Sequence, residues 1–122
     1  MPDPVEPHDV DAEAVARRLD DERRDVEARL DAMTRDLAAV FDASDGSNAD
    51  DEHDPEGQTI AYERSQLAAL IQSAEAHLAG IDEAQQRLQL GTYGICEVCG
   101  RRIPDARLEV RPTARTCVEH AG

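Results

Sequence analysis

The sequence predicts an all-α fold, an antiparallel coiled-coil helical hairpin that ends in a small metal-stapled module. Three observations carry that expectation. Two stretches show apolar residues at heptad spacing, separated by a segment of turn-forming residues. Aromatic residues make up only 2% of the chain, with no Trp, one Phe and two Tyr, although 40% of residues are hydrophobic. A chain so poor in large side chains and rich in Ala, Leu, Glu, Asp and Arg builds long helices rather than a broad globular core. Finally, all three cysteines stand close to the C-terminus in a paired-hook arrangement. With 122 residues there is material for one domain at most.

Residues 1–10 hold three prolines and no periodicity, so they are expected to be a disordered tail. From Asp11 onward the apolar positions are Val15, Leu19, Val26, Leu30, Met33, Leu37 and Val40. Between Val26 and Val40 the gaps alternate between four and three, which is a coiled-coil seam. Glu22 stands where one more apolar residue belongs. One helix is therefore expected from about 11 to about 43, its other faces charged and solvated. The next residues, Ser44 to His53, lack an apolar stripe and read as a loop. Asp54-Pro55-Glu56 has the order of a helix start, an N-cap followed by proline at the first helical position. Gly57 weakens that turn, so regular helix is expected from Thr59 and the tip loop spans about 44–58. The second seam is Ile60, Leu67, Ile71, Ala74, Leu78, Ile81 and Leu88, broken by Arg64 and Gln85. Gly91 is the expected stop, giving a hairpin over 11–91. Two helices of about thirty residues, each roughly 45 Å long, joined by a short loop must run antiparallel. Stripes this narrow leave neither helix stable alone, so pairing supplies the stability.

The remaining segment, 92–122, is the module. Cys96-Glu-Val-Cys99 and Cys117-Val-Glu-His120 are two hooks with the same two-residue gap. Each hook aims two ligands at one point, and two hooks close a tetrahedron of three thiolates and one imidazole around Zn²⁺. Gly100 supplies the positive φ that a turn round a metal requires. Three thiols cannot all pair as disulfides, and a redox Cys-x-x-Cys would need a βαβ setting this chain lacks. The fold class is thus all-α, an antiparallel coiled-coil helical hairpin with a small C-terminal zinc finger. Zinc compensates for the missing core at the open end of the hairpin. Arg101, Arg102 and Arg107 are placed to soften the charge of the thiolates, Ile103 and Leu108 to pack against the helices, and Tyr93 to fill the joint.

The formal net charge of −14 sets the expected partner. A chain this acidic is repelled by phosphate backbones, so direct sequence-specific DNA binding is not expected and a protein with a basic surface is. No apolar run approaches membrane-spanning length and the N-terminus lacks a signal pattern, so the expected protein is soluble, cytoplasmic, free of membranes and monomeric when free. No nucleophile and base are paired in the sequence, so no catalysis is expected.

The run Gly91-Thr-Tyr-Gly94-Ile-Cys96-Glu-Val-Cys99-Gly100, then Arg107-Leu-Glu109-Val-Arg111-Pro112-Thr113-Ala114 and Cys117, resembles the DksA/TraR family of bacterial transcription regulators. The family's zinc site ends in a fourth cysteine, whose place His120 takes here. The resemblance implies a non-enzymatic regulator that binds RNA polymerase and inserts its coiled-coil tip into the secondary channel. It further implies acidic tip residues near the polymerase's active-site Mg²⁺, here Asp50, Asp51, Asp54 and Glu56, and a response shared with the alarmone ppGpp. The family's tip motif is Asp-x-x-Asp-x-Ala, commonly beginning Asp-Pro. Aligned on Asp54-Pro55, its second acid falls on Gly57; aligned on Asp51 and Asp54, its Ala falls on Glu56.

Two further readings stand beside this one. Glu52-x-Asp54-x-Glu56-Gly57, with Glu63 beyond, has the spacing of an EF-hand Ca²⁺ loop, which would make the hairpin Ca²⁺-responsive. A zinc-stapled helical adaptor for another protein needs only the hairpin and the finger.

Overall fold

The computed structural model describes residues 11–46 and 55–121. Two long helices dominate it: α1, Ala12–Gly46, and α2, Pro55–Leu90, followed by the short α3, Asp105–Val110, and a 3₁₀ turn, Val118–His120. Among the described residues there is no strand, only a bridge between Ile95 and Arg102. The long helices pair as an antiparallel hairpin. Arg23 of α1 meets Asp82 of α2, whereas Phe41 of α1 meets Arg64.

Helix α1 begins where its cap dictates. The Asp11 carboxylate accepts from the backbone N–H groups of Glu13 (3.1 Å) and Ala14 (3.2 Å), satisfying two donors the helix cannot. At its far end α1 continues to Gly46, past the expected stop near 43. Losing the apolar stripe does not end a helix, because the hydrogen-bond ladder is local. Helix α2 is regular from Pro55, not from Thr59. The Gly57 penalty is only about 1 kcal/mol, and Pro55 needs no N–H at the first position. This placement overturns the EF-hand reading. Gly57 and Glu63 both lie in α2, and Gly57 is not among the positive-φ glycines. A Ca²⁺ loop needs that glycine at a sharp turn around the ion, which helix continuous from Pro55 denies it.

The C-terminus of α2 closes on Gly91, φ +82°. The Gly91 N–H donates to the Leu88 carbonyl (3.3 Å) and the Thr92 N–H to the Arg87 carbonyl (2.9 Å), the paired bonds of a Schellman stop.

Two compact units divide the chain. One joins the described residues up to Arg24 with those from Ala79 onward. Its buried side chains are Leu19, Ile81 and Ala84 of the long helices with Tyr93, Cys96, Ile103, Leu108 and Ala114 of the module. Arg23 donates to Asp82 and to Gln85 Oε1 (2.7 Å), which gives the polar seam position Gln85 a partner. The Arg18 guanidinium donates to the Glu109 carbonyl, and Tyr93 Oη donates to the Pro112 carbonyl (2.6 Å).

In the other unit, Asp25–Leu78, every described residue is helical. Val26 and Ala74 are buried, while Leu30, Met33, Leu37, Val40, Ile60, Leu67, Ile71 and Leu78 are half-buried, as a two-helix seam allows. Arg64 occupies its seam position by laying its guanidinium over the Phe41 ring, 5.2 Å from the centroid. Exposed faces carry helical ion pairs such as Arg35–Asp31 at 3.4 Å, worth only a few tenths of a kcal/mol.

Candidate metal centre

The first hook is shaped by backbone before any metal is considered. Cys96 N–H donates to the Arg101 carbonyl (2.8 Å) and Ile103 N–H to the Gly94 carbonyl (2.7 Å), drawing the two limbs of the turn together. Gly100 turns the chain back with φ +76° and donates to the Cys96 carbonyl at 2.9 Å. Gly94, φ +82°, lies so close to Leu108 that an added Cβ would stand 3.4 Å from its Cδ1. Inside the turn, the N–H groups of Val98 (3.4 Å) and Cys99 (3.5 Å) point at the Cys96 sulfur. The second hook is the 3₁₀ turn, in which His120 N–H donates to the Cys117 carbonyl at 2.9 Å.

Long-range contacts hold the hooks face to face. Arg107 Nε donates to the Thr116 carbonyl (2.7 Å), and Glu97 N–H donates to the Arg115 carbonyl (2.9 Å). The Arg115 guanidinium pairs with Glu97 (3.4 Å) and with Glu83 of α2 (2.8 Å), tying hook to helix. Of the arginines expected to soften the site, Arg107 acts on the backbone beside Cys117, while exposed Arg102 pairs with Asp105 at 3.0 Å. Sequence reasoning missed the Arg115 brace, since partners so far apart in the chain leave no periodic signal.

The donor atoms of Cys96, Cys99, Cys117 and His120 all lie within 4.8 Å of one another. Cys99 and Cys117 sulfurs are 3.8 Å apart, Cys96 and Cys117 sulfurs 3.7 Å, and Cys96 sulfur and His120 Nδ1 3.6 Å. Bonds of about 2.3 Å to sulfur and about 2.0 Å to nitrogen give a tetrahedron with edges of roughly 3.5–3.8 Å. The residues present therefore fit Zn²⁺. Of these edges the one between Cys117 and His120, 2.9 Å, lies below that range and must lengthen to admit the ion. All three thiols are free, and these sulfur separations are far from the roughly 2.05 Å of a disulfide.

The thiols ionise unequally. Burial opposes the charge on Cys96, but the N–H groups of Cys99, Cys117 and Val98 outweigh it and bring its pKa down to about 6. Burial pushes Cys117 up to about 11, helped by its contacts with Cys96 and Cys99 and by their negative charge. Burial also raises Tyr93 above the ordinary phenol value, keeping the proton it donates to Pro112.

A family profile described as the prokaryotic dksA/traR C4-type zinc finger matches residues 91–119. Over these residues the chain carries a finger of the DksA/TraR type. The finger is a structural zinc site of that family, with His120 in place of the fourth cysteine. The chain is similar to the uncharacterized protein YteA of Bacillus subtilis, 39% identical over 84 residues, covering 69% of this chain and 35% of that protein. It is 50% identical over 42 residues to the RNA polymerase-binding transcription factor DksA of Caulobacter vibrioides, covering 34% of this chain and 30% of that one. The matched segments thus span well under half the length of these curated relatives. Among solved structures it resembles transcription factor DksA2 from Pseudomonas aeruginosa, with a TM-score of 0.76 at 24% identity over 95% of this chain and 85% of that chain. That likeness establishes the fold.

The four expected ligands are brought together, whereas the expected tip is not described. Asp50, Asp51 and Asp54 lie outside the described residues, and Glu56 is described only as backbone in the first turn of α2. Among the described residues no helix is long and apolar enough to cross a membrane.

Proposed function

We propose that this chain is a non-enzymatic transcription regulator that binds RNA polymerase and presents its acidic helix–helix connection inside the secondary channel. The observation that carries this reading is the combination of a DksA/TraR finger with an antiparallel hairpin on the fold of DksA2. The connection, 47–54, includes Asp50, Asp51 and Asp54, and Glu56 follows in α2. Carboxylates delivered beside a catalytic Mg²⁺ alter the field that the ion and its basic neighbours set up. A net charge of −14 favours such basic protein surroundings over free DNA. The partner is thus the polymerase, the compartment the cytoplasm, the free chain a monomer, and ppGpp a ligand shared with the polymerase.

Binding and activity separate under this reading. Asp51→Asn combined with Asp54→Asn leaves affinity for core polymerase within severalfold and removes the effect on transcription in vitro. Helix content stays unchanged, because Asn caps a helix about as well as Asp. Normal regulation by the double variant contradicts channel insertion as the mechanism.

A further inference from the structure

In the unit Asp25–Leu78 a groove of about 450 Å³ runs between α1 and α2. Ala39, Val40 and Leu67 contribute its apolar lining, and Asp36, Tyr62 and Glu63 its polar and aromatic lining. Tyr62 is 65% exposed on a helix whose other large apolar side chains mostly turn to the seam. No ion pair joins Asp36 or Glu63 to a basic residue among the described residues. The groove therefore combines apolar floor, an aromatic face and two uncompensated carboxylates. The same unit holds an internal counterpart. Phe41 already carries a guanidinium over its ring, that of Arg64, at 5.2 Å.

We propose that this groove seats an arginine side chain of the protein partner. The methylene stem covers Ala39, Val40 and Leu67, the planar head stacks on Tyr62, and its N–H groups reach Asp36 and Glu63. Lysine serves this site less well, since an ammonium neither stacks nor offers a flat fork to two acceptors. A cation held by both an aromatic face and carboxylates is favoured over either contact alone. The identity of the partner as RNA polymerase rests on the function proposed above; the chemistry of the groove does not.

The test measures equilibrium binding of the full zinc-loaded chain to core RNA polymerase for the wild type, Tyr62→Leu, and Asp36→Asn with Glu63→Gln. Circular dichroism accompanies each variant to show that these exposed substitutions leave the helices intact. The expected result is about a tenfold loss of affinity for each variant, with a shallower salt dependence for the carboxylate pair. Equal affinity for wild type and both folded variants overturns the groove and leaves polymerase binding standing. If the wild type does not bind polymerase, the functional reading falls instead, and a second probe decides the groove. That probe is a short helical peptide with one central arginine, titrated into labelled chain beside its citrulline twin. Shifts at Tyr62 and Leu67 with arginine alone support the site; identical or absent shifts with both peptides overturn it.

Discussion

Without the metal, Cys96 and Cys117 respond to pH in opposite senses. With its pKa held near 6, Cys96 favours the fold above the ordinary thiol value, and that contribution is lost as pH falls through about 6. Cys117, raised to about 11, favours the fold below the ordinary thiol value and loses that contribution as pH rises through about 11. Only thiolates ligate the metal, so protons compete with zinc throughout this range. Zinc retention against a fixed chelator should therefore weaken as the solution is acidified, most steeply below about pH 6 where Cys96 also gains its proton. Retention unchanged well below that value would contradict the assignment. Substitution tests the ligand set directly. Purified protein should carry about one equivalent of zinc, lost with Cys96→Ser or Cys117→Ser and reduced less by His120→Ala. His120→Cys should keep the metal, because it restores the four-cysteine pattern of the family. Metal analysis of the purified variants checks all four.

Along the helices, stability is concentrated in few positions. Ile81 is fully buried in α2, whereas Leu70 on the same helix is 52% exposed. Ile81→Ala should cost about 2–5 kcal/mol and Leu70→Ala well under about 1 kcal/mol, read from urea unfolding followed by circular dichroism. Similar losses at both positions would mean the seam is misplaced. The seams were legible because heptad spacing maps directly onto burial. Every seam position from Val15 to Val40 is buried or half-buried, Glu22 included, and so are Arg64 and Gln85 on the other helix. What period could not reveal was how the polar interruptions are accommodated. Gln85 is met by Arg23 and Arg64 by Phe41, pairings between residues remote in sequence. The start of α2 at Pro55 follows the Asp54-Pro55-Glu56 order, and the small penalty at Gly57 does not delay regular helix to Thr59; α1 runs on to Gly46 because its ladder outlasts the apolar stripe.

At the scale of the molecule, a chain with one Phe, two Tyr and no Trp is stabilised by a seam and a metal rather than a broad core. The zinc ligands were legible from spacing alone, since each hook is local and the chemistry of three thiols and an imidazole is specific. The braces that set the hooks face to face, Arg115 with Glu83 and Arg107 with the Thr116 carbonyl, were not. They place the finger in one compact unit with the N-terminal part of α1 and the C-terminal part of α2. Under the proposed function the zinc-loaded finger belongs to the form that binds the partner, so metal and partner should be linked. Equilibrium binding of the full chain to core RNA polymerase, with zinc loaded and with zinc stripped, tests this most directly. The account predicts a saturable complex with the zinc-loaded chain that weakens markedly when the metal is removed. No association of the zinc-loaded chain with core polymerase, even at low salt, would contradict it.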